Sequence, residues 1–180
     1  MKKFIYLILT IFLITGCSSK MDKKILKEFK DNVNSSKSYV VAGTLDIFND
    51  EDKFNYDITV SYKKGDFYKV VLTNQTSGHE QVILKNKDGV YLITPSLNKS
   101  FKFQSDWPYN NSQVYLLQSI LDDILDDEER NLVSDDNGYI FTTSVNYPNN
   151  RKLVKQIVTF DKKLNLKKVS VVDENNISQM

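Results

Sequence analysis

One cysteine and one histidine are the chain's entire stock of thiol and imidazole. Cys17 closes the run Leu13-Ile14-Thr15-Gly16-Cys17, behind Lys2, Lys3 and an apolar stretch from Phe4 to Ile14 that is short for a bilayer span. A small residue just before a cysteine at this place fits a bacterial lipobox, in which the chain is cut before the cysteine and its thiol receives a diacylglycerol. The competing reading is a plain secretory signal with Cys17 at its boundary. The single cysteine falls where acylation needs it, which favours lipidation. No second thiol remains for a disulfide framework or a thiolate metal site. His79 lies between Gly78 and Glu80 without a nucleophile motif, so it reads as a loop-edge residue rather than a general base. Zinc needs several nitrogen or sulfur ligands, and one histidine cannot supply them. The chain is thus expected to hold no catalytic residue, metal site or cofactor.

Carboxylates are the other reactive stock. Asp122, Asp123, Asp126, Asp127, Glu128 and Glu129 crowd the end of an amphipathic stretch, where they oppose the helix dipole and repel one another. Their spacing lacks the alternation and the glycine of a calcium loop. They read either as a solvated face or as a docking patch for a basic partner, with Asp126, Asp127 and Glu128 as its candidates. Just upstream, Trp107 and Tyr109 flank Pro108, either as a core plug or as anchors for a partner. Lys162, Lys163, Lys167 and Lys168 form a basic hairpin with Lys152 and Lys155 nearby, a pattern shared by solvated strand faces. Formal charge is +1, and loss of Lys2 and Lys3 with a signal would take 24 basic residues to 22 against 23 acidic ones. Such a balance excludes bulk nucleic-acid binding and leaves membrane attachment to the lipid.

The elements that must position these groups follow from periodicity. Residues 1–16 read as a lipoprotein signal, 17–22 as the lipidated cysteine and a polar tether, and 23–180 as a single domain. Asp22 can cap a short helix whose Ile25, Leu26, Phe29 and Val33 share one face. From Ser38 the period changes to two. Tyr39 to Phe48 and Phe54 to Tyr62 read as strands, followed by Phe67–Thr73, Glu80–Leu84, Val90–Thr94 and Ser100–Phe103. In the stretch from Trp107 to Glu129, Ser112 is a good N-cap, and Val114, Leu117, Ile120, Leu121, Ile124 and Leu125 recur at helical spacing. Strands at Tyr139–Val145, Leu153–Phe160 and Leu166–Val172 close the chain. Nine or ten successive antiparallel strands twist into a curved sheet, so the fold class is α+β: a half-barrel with its helices packed on the concave face. Phe54, Tyr56, Phe67, Phe101 and the second helix are the bulk expected to fill that face. The open edges make a homodimer through edge pairing or strand exchange plausible.

The lipobox, short helix, long meander, helix after an aromatic-proline cluster, and closing hairpin Gln156-Ile157-Val158-Thr159-Phe160-Asp161-Lys162-Lys163-Leu164-Asn165-Leu166 together resemble the LolA-like lipoprotein-carrier superfamily. Ser112-Gln113-Val114-Tyr115-Leu116-Leu117-Gln118-Ser119 after Asp106-Trp107-Pro108 is similar to the sporulation lipoproteins of endospore formers, the GerS-type germination lipoproteins among them. The resemblance implies a non-enzymatic lipoprotein outside the cytoplasm, anchored to the cell membrane in the forespore or spore envelope. It implies binding and activation of a CwlD-type N-acetylmuramoyl-L-alanine amidase so that muramic-δ-lactam is formed, any zinc belonging to that amidase. The alternative it implies is a carrier of lipid or lipoprotein that uses the concave face.

Overall fold

A computed structural model describes residues 17–49, 52–104, 112–147, 150 and 152–180. Alternation in the sequence becomes alternation in burial. Strand β1 (Ser38–Asn49) pairs with β2 (Asp52–Lys63) over their full length without a bulge. On β2, Ile58 and Val60 turn inward while Asp57 and Thr59 face water, because successive side chains leave opposite faces of a strand. Short turns then force antiparallel neighbours: β3 (Phe67–Asn74), β4 (Glu80–Asn86), β5 (Gly89–Thr94) and β6 (Lys99–Lys102) complete a six-stranded sheet in sequence order. The β2–β3 turn places both Gly65 and Asp66 at positive φ, 98° and 64°.

A second sheet holds β7 (Asn131–Ser134), β8 (Gly138–Ser144), β9 (Leu153–Asp161) and β10 (Leu166–Asp173), ordered β10-β9-β8-β7. Helices α1 (Cys17–Ser35) and α2 (Leu117–Asp126) supply its cover. Ile25 and Phe29 of α1, Ile120 and Ile124 of α2, and Phe141, Val158 and Phe160 of the sheet form one core. Phe160 is its hub, 4.7 Å from the Phe29 ring centroid and 6.1 Å, edge on, from that of Phe141. Burying each such side chain stabilises the fold by roughly 1.5–3 kcal/mol. Gly138 opens β8 against this core with no room to spare: a Cβ there would lie 1.9 Å from the Phe160 carbonyl oxygen. The six-stranded sheet has a core of its own, in which Val60, Tyr68, Val70 and Val90 meet Leu116, with Tyr115 packed alongside.

Ten antiparallel strands and two helices agree with the expected class, but the sheet is parted into two unclosed sections. Where β1 and β10 approach, they are joined through a third segment. The Phe48 amide donates to the Gln179 carbonyl at 2.9 Å, and Val171 exchanges hydrogen bonds with Met180.

Four local expectations change. The segment expected as a polar tether is helical, since α1 begins at Cys17, and Asp22 is not its cap. Instead Asp22 pairs with Arg130 at 3.0 Å. Helix α2 starts at Leu117 rather than behind Ser112, and its N-cap position is Leu116 in extended conformation. Leu116 is held there because its side chain is buried in the other sheet's core, which a helical backbone at 112–116 would forgo. Of the aromatics expected to fill the inner face, Phe54, Phe67 and Phe101 are 40%, 37% and 60% exposed. Phe67 alternates with buried Tyr68 and so faces outward, and Phe54 and Phe101 sit in strands near the sheet's margins.

A carboxylate-lined cleft between the two sheets

Helix α2 carries its apolar residues toward the four-stranded sheet, which leaves its polar side facing β3 and β4. Between them lies a cleft of about 1070 Å³, bordered by Asp66, Tyr68 and Lys85 on the sheet side and by Asp122, Asp126 and Glu128 on the helix side. Lys85 forms an ion pair with Asp66, and its ammonium also stands 5.9 Å from the Tyr68 ring centroid. The remaining acids of the run have a different job.

Asp123 is turned inward. Its Oδ1 accepts from the Ser112 hydroxyl at 2.8 Å and its Oδ2 from the Gln156 amide at 3.0 Å. Ser112 in turn exchanges backbone and side-chain hydrogen bonds with Asn146. One carboxylate therefore ties α2, the segment before it and the four-stranded sheet together. Burial pushes the Asp123 carboxyl up to about 6, opposed by those two hydrogen bonds and reinforced by the negative charges of Asp122 and Asp126. Gln156 is fully buried, and its Oε1 has no hydrogen-bond partner.

Asp127 is the C-terminal latch of α2. Its Oδ2 accepts from the Ser144 amide at 2.7 Å, the Ser144 hydroxyl and the Thr143 hydroxyl, and its Oδ1 from the Glu129 amide. Burial pushes this carboxyl up, but the hydrogen bonds outweigh it and hold the group below the ordinary carboxylate range. Arg130 donates to the Asp127 carbonyl and reaches Asp22, tying α1 to the same corner. Asp127 is thus not a freely solvated acid: it also lines the cleft, but in a position fixed by β8. Asp126 and Glu128 do remain exposed at the cleft, and Asp122 joins them.

Other candidates separate from this site. His79 is exposed at the loop before β4, where its carbonyl accepts from Asn74. Among the basic hairpin residues, Lys167 pairs with Asp161 at 3.1 Å and Lys162 covers the Tyr139 ring at 5.4 Å. Trp107 and Tyr109 lie outside the described residues, as do residues 1–16. The described residues hold no group of three or more His, Cys, Asp or Glu arranged for a metal ion. None of their helices is long and apolar enough to cross a membrane. Sequence reasoning missed Ser112, Thr143, Gln156 and Arg130 as parts of the corner. A polar residue inside an apolar strand pattern, as Gln156 is on β9, was the available signal.

No protein-family model matches the chain. Over 165 residues, 90% of this chain, it is 36% identical to sporulation protein YdcC of Bacillus subtilis strain 168. The chain is thus similar in sequence to a sporulation protein. It spans 49% of that relative's length. Among solved structures, the CwlD amidase of Clostridioides difficile in complex with the GerS lipoprotein contains a chain of like fold, with TM-score 0.51 and 17% identity over 88% of this chain and 89% of that one. A domain from Vibrio parahaemolyticus assigned to outer membrane lipoprotein sorting aligns at TM-score 0.46 and 14% identity, over 86% of this chain and 73% of its own. At 17% identity the likeness to the first of these concerns the fold alone.

Proposed function

We propose that this chain is a non-enzymatic binding module that docks on a cell-wall amidase of the CwlD type and activates it, so that muramic-δ-lactam is formed and the spore can germinate. In this reading residues 1–16 are a lipoprotein signal, Cys17 carries the lipid, and the module works outside the cytoplasm at the membrane of the forespore or spore envelope. What supports the reading is the fold it shares with a chain solved together with CwlD, in a sequence 36% identical to a sporulation protein. The cleft supplies the chemistry of recognition. Asp122 and Asp126 line it from α2 and Glu128 from the turn just after it, and Asp127 and Arg130 fix this helix end, so the negative field is aimed before a partner arrives. A basic surface on the amidase is its complement, and the catalytic zinc is the amidase's own.

The carrier alternative would need a greasy cavity, whereas the large cleft is bordered by carboxylates. The deciding experiment mixes the full chain with the purified amidase and measures both binding and peptidoglycan stem cleavage. Binding that weakens at least about tenfold when Asp122, Asp126 and Glu128 become Asn, Asn and Gln, in a variant of unchanged thermal stability, is the expected result. Binding indifferent to that triple change removes the cleft from the interface, and an amidase equally active without the chain ends the proposal.

A further inference from the structure

The seam between the sheets has two unequal halves. At one end Gln179 and Met180 fill it, accepting from Phe48 of β1 and exchanging hydrogen bonds with Val171 of β10. At the other end the seam is an open slot of about 380 Å³, lined by Phe29 and Val33 of α1, Val40 and Ala42 of β1, and Leu164 and Leu166 at the start of β10. The start of β1 thus lies by the start of β10 and its end by the end of β10, so the two strands run the same way.

Backbone register shows what the slot offers. The amide of Phe48 points away from β2, toward Gln179, and the β1–β2 pairing has no bulge. By the two-residue repeat of a strand, the amides and carbonyls of Val40, Ala42, Thr44 and Asp46 point the same way. Likewise Val171 and Asp173 face the 177–180 segment, which places the amide of Val169 on the open side. Among the described residues neither edge has a backbone partner along this length, so two open strand edges face one slot. Val40 is 68% exposed beside it, a large apolar side chain left in water on an open edge. None of the described residues lining the slot is charged.

We propose that this slot receives an extended, uncharged strand of a partner protein, with apolar side chains at alternate positions, which pairs with the outer edge of β1 beside Gln179. The chain's own 177–180 segment points to the mode, since it occupies the neighbouring length of the same seam, bridging to Val172 of β10 and accepting one backbone hydrogen bond from Phe48 of β1. Every second side chain of the guest strand meets Phe29, Val33 and Leu166, and its backbone continues the ladder that Gln179 begins. This site shares no residue with the carboxylate cleft and stands apart from the amidase reading.

The test uses hydrogen–deuterium exchange on the full chain with the capped, uncharged peptide acetyl-Gln-Val-Thr-Val-Thr-Val-Gln-amide as probe. Saturating peptide is expected to slow exchange at Val40, Ala42 and Thr44 while leaving the β4–β5 ladder unchanged, and the same peptide with its central Val replaced by Pro is expected to do neither. Ala42→Pro removes an outward donor without touching the β1–β2 ladder, and Val40→Lys places a charge on the edge; each should weaken the peptide about tenfold, as loss of one or two edge hydrogen bonds implies. Val40→Lys keeps the test valid if the proline variant unfolds. Exchange that ignores the peptide overturns the proposal, as does equal protection by the proline peptide, which would mean apolar filling without strand pairing. Protection that rises with protein concentration alone also overturns it and installs a second copy of the chain as occupant, the homodimer expected from open sheet edges.

Discussion

The two sheets are built from the same kind of strands and yet spend them differently. The four-stranded sheet presses both helices onto its inner face, and Ile120, Ile124, Phe141 and Val158 there are wholly buried. The six-stranded sheet, though larger, is covered near its middle by Leu116 and Tyr115, and Tyr68 and Lys85 of its strands border the cleft. A helix needs a broad apolar face to dock, and α2 has only one, so the sheet that wins it becomes the anchor and the other is left facing polar groups. Stability concentrates on one side of α2 and recognition on the other.

Core truncation tests that division most severely. Phe141→Ala in the anchor sheet should cost about 3–5 kcal/mol in urea unfolding, whereas Phe101→Ala on the six-stranded sheet should stay within about 0.5 kcal/mol. Equal losses would erase the distinction. A middle-sized effect belongs to the latch between the two sides: Asp127→Ala strands the Ser144 amide and hydroxyl and should cost about 1–3 kcal/mol by thermal unfolding. An unchanged melting temperature would return Asp127 to the solvated acids.

The smallest effect is a slope. Burial holds the Asp123 carboxyl at about 6 in the folded chain, well above the ordinary carboxylate value of about 4 that it has when unfolded. Between those values the folded state binds more protons, so this group's contribution falls as pH rises from about 4 to 6. Carboxyls held low, Asp127 among them, act in the opposite direction and only at lower pH, where falling pH removes their contribution. Asp123→Asn should therefore flatten the decline of the urea midpoint between pH 4.5 and 6.5, with Gln156 turning its unpartnered Oε1 toward the new amide. A wild-type midpoint that rises across this window would contradict the buried placement of Asp123.

Strand positions were legible because a half-buried strand writes its period into the sequence: nine of the ten strands fall where alternation and turn residues put them, and only β7, four residues long and too short to show a period, was not placed. The helical corner was not legible, for a consistent reason. Ser112 has the chemistry of a cap, but its hydroxyl serves Asp123 across eleven residues, and its backbone serves Asn146. Asp22 also has a cap's chemistry, and a guanidinium 108 residues away claims it. A run of six acids looks uniform, yet Asp123 and Asp127 differ from Asp126 only through partners on β8 and β9. Local patterns state which residues can accept a hydrogen bond, and the fold decides which donors arrive.

Helix α1 begins at Cys17, and within its second turn Asp22 is fastened to Arg130. A leash of loose residues would let the domain swivel over a bilayer. With Cys17 as the proposed point of lipid attachment, a stiff rod of about 28 Å, at 1.5 Å per residue, would fix its heading instead. Any load hung on the first residue of that rod is passed to the rim of the cleft, so the direction of attachment and the direction in which the carboxylates look are one mechanical quantity.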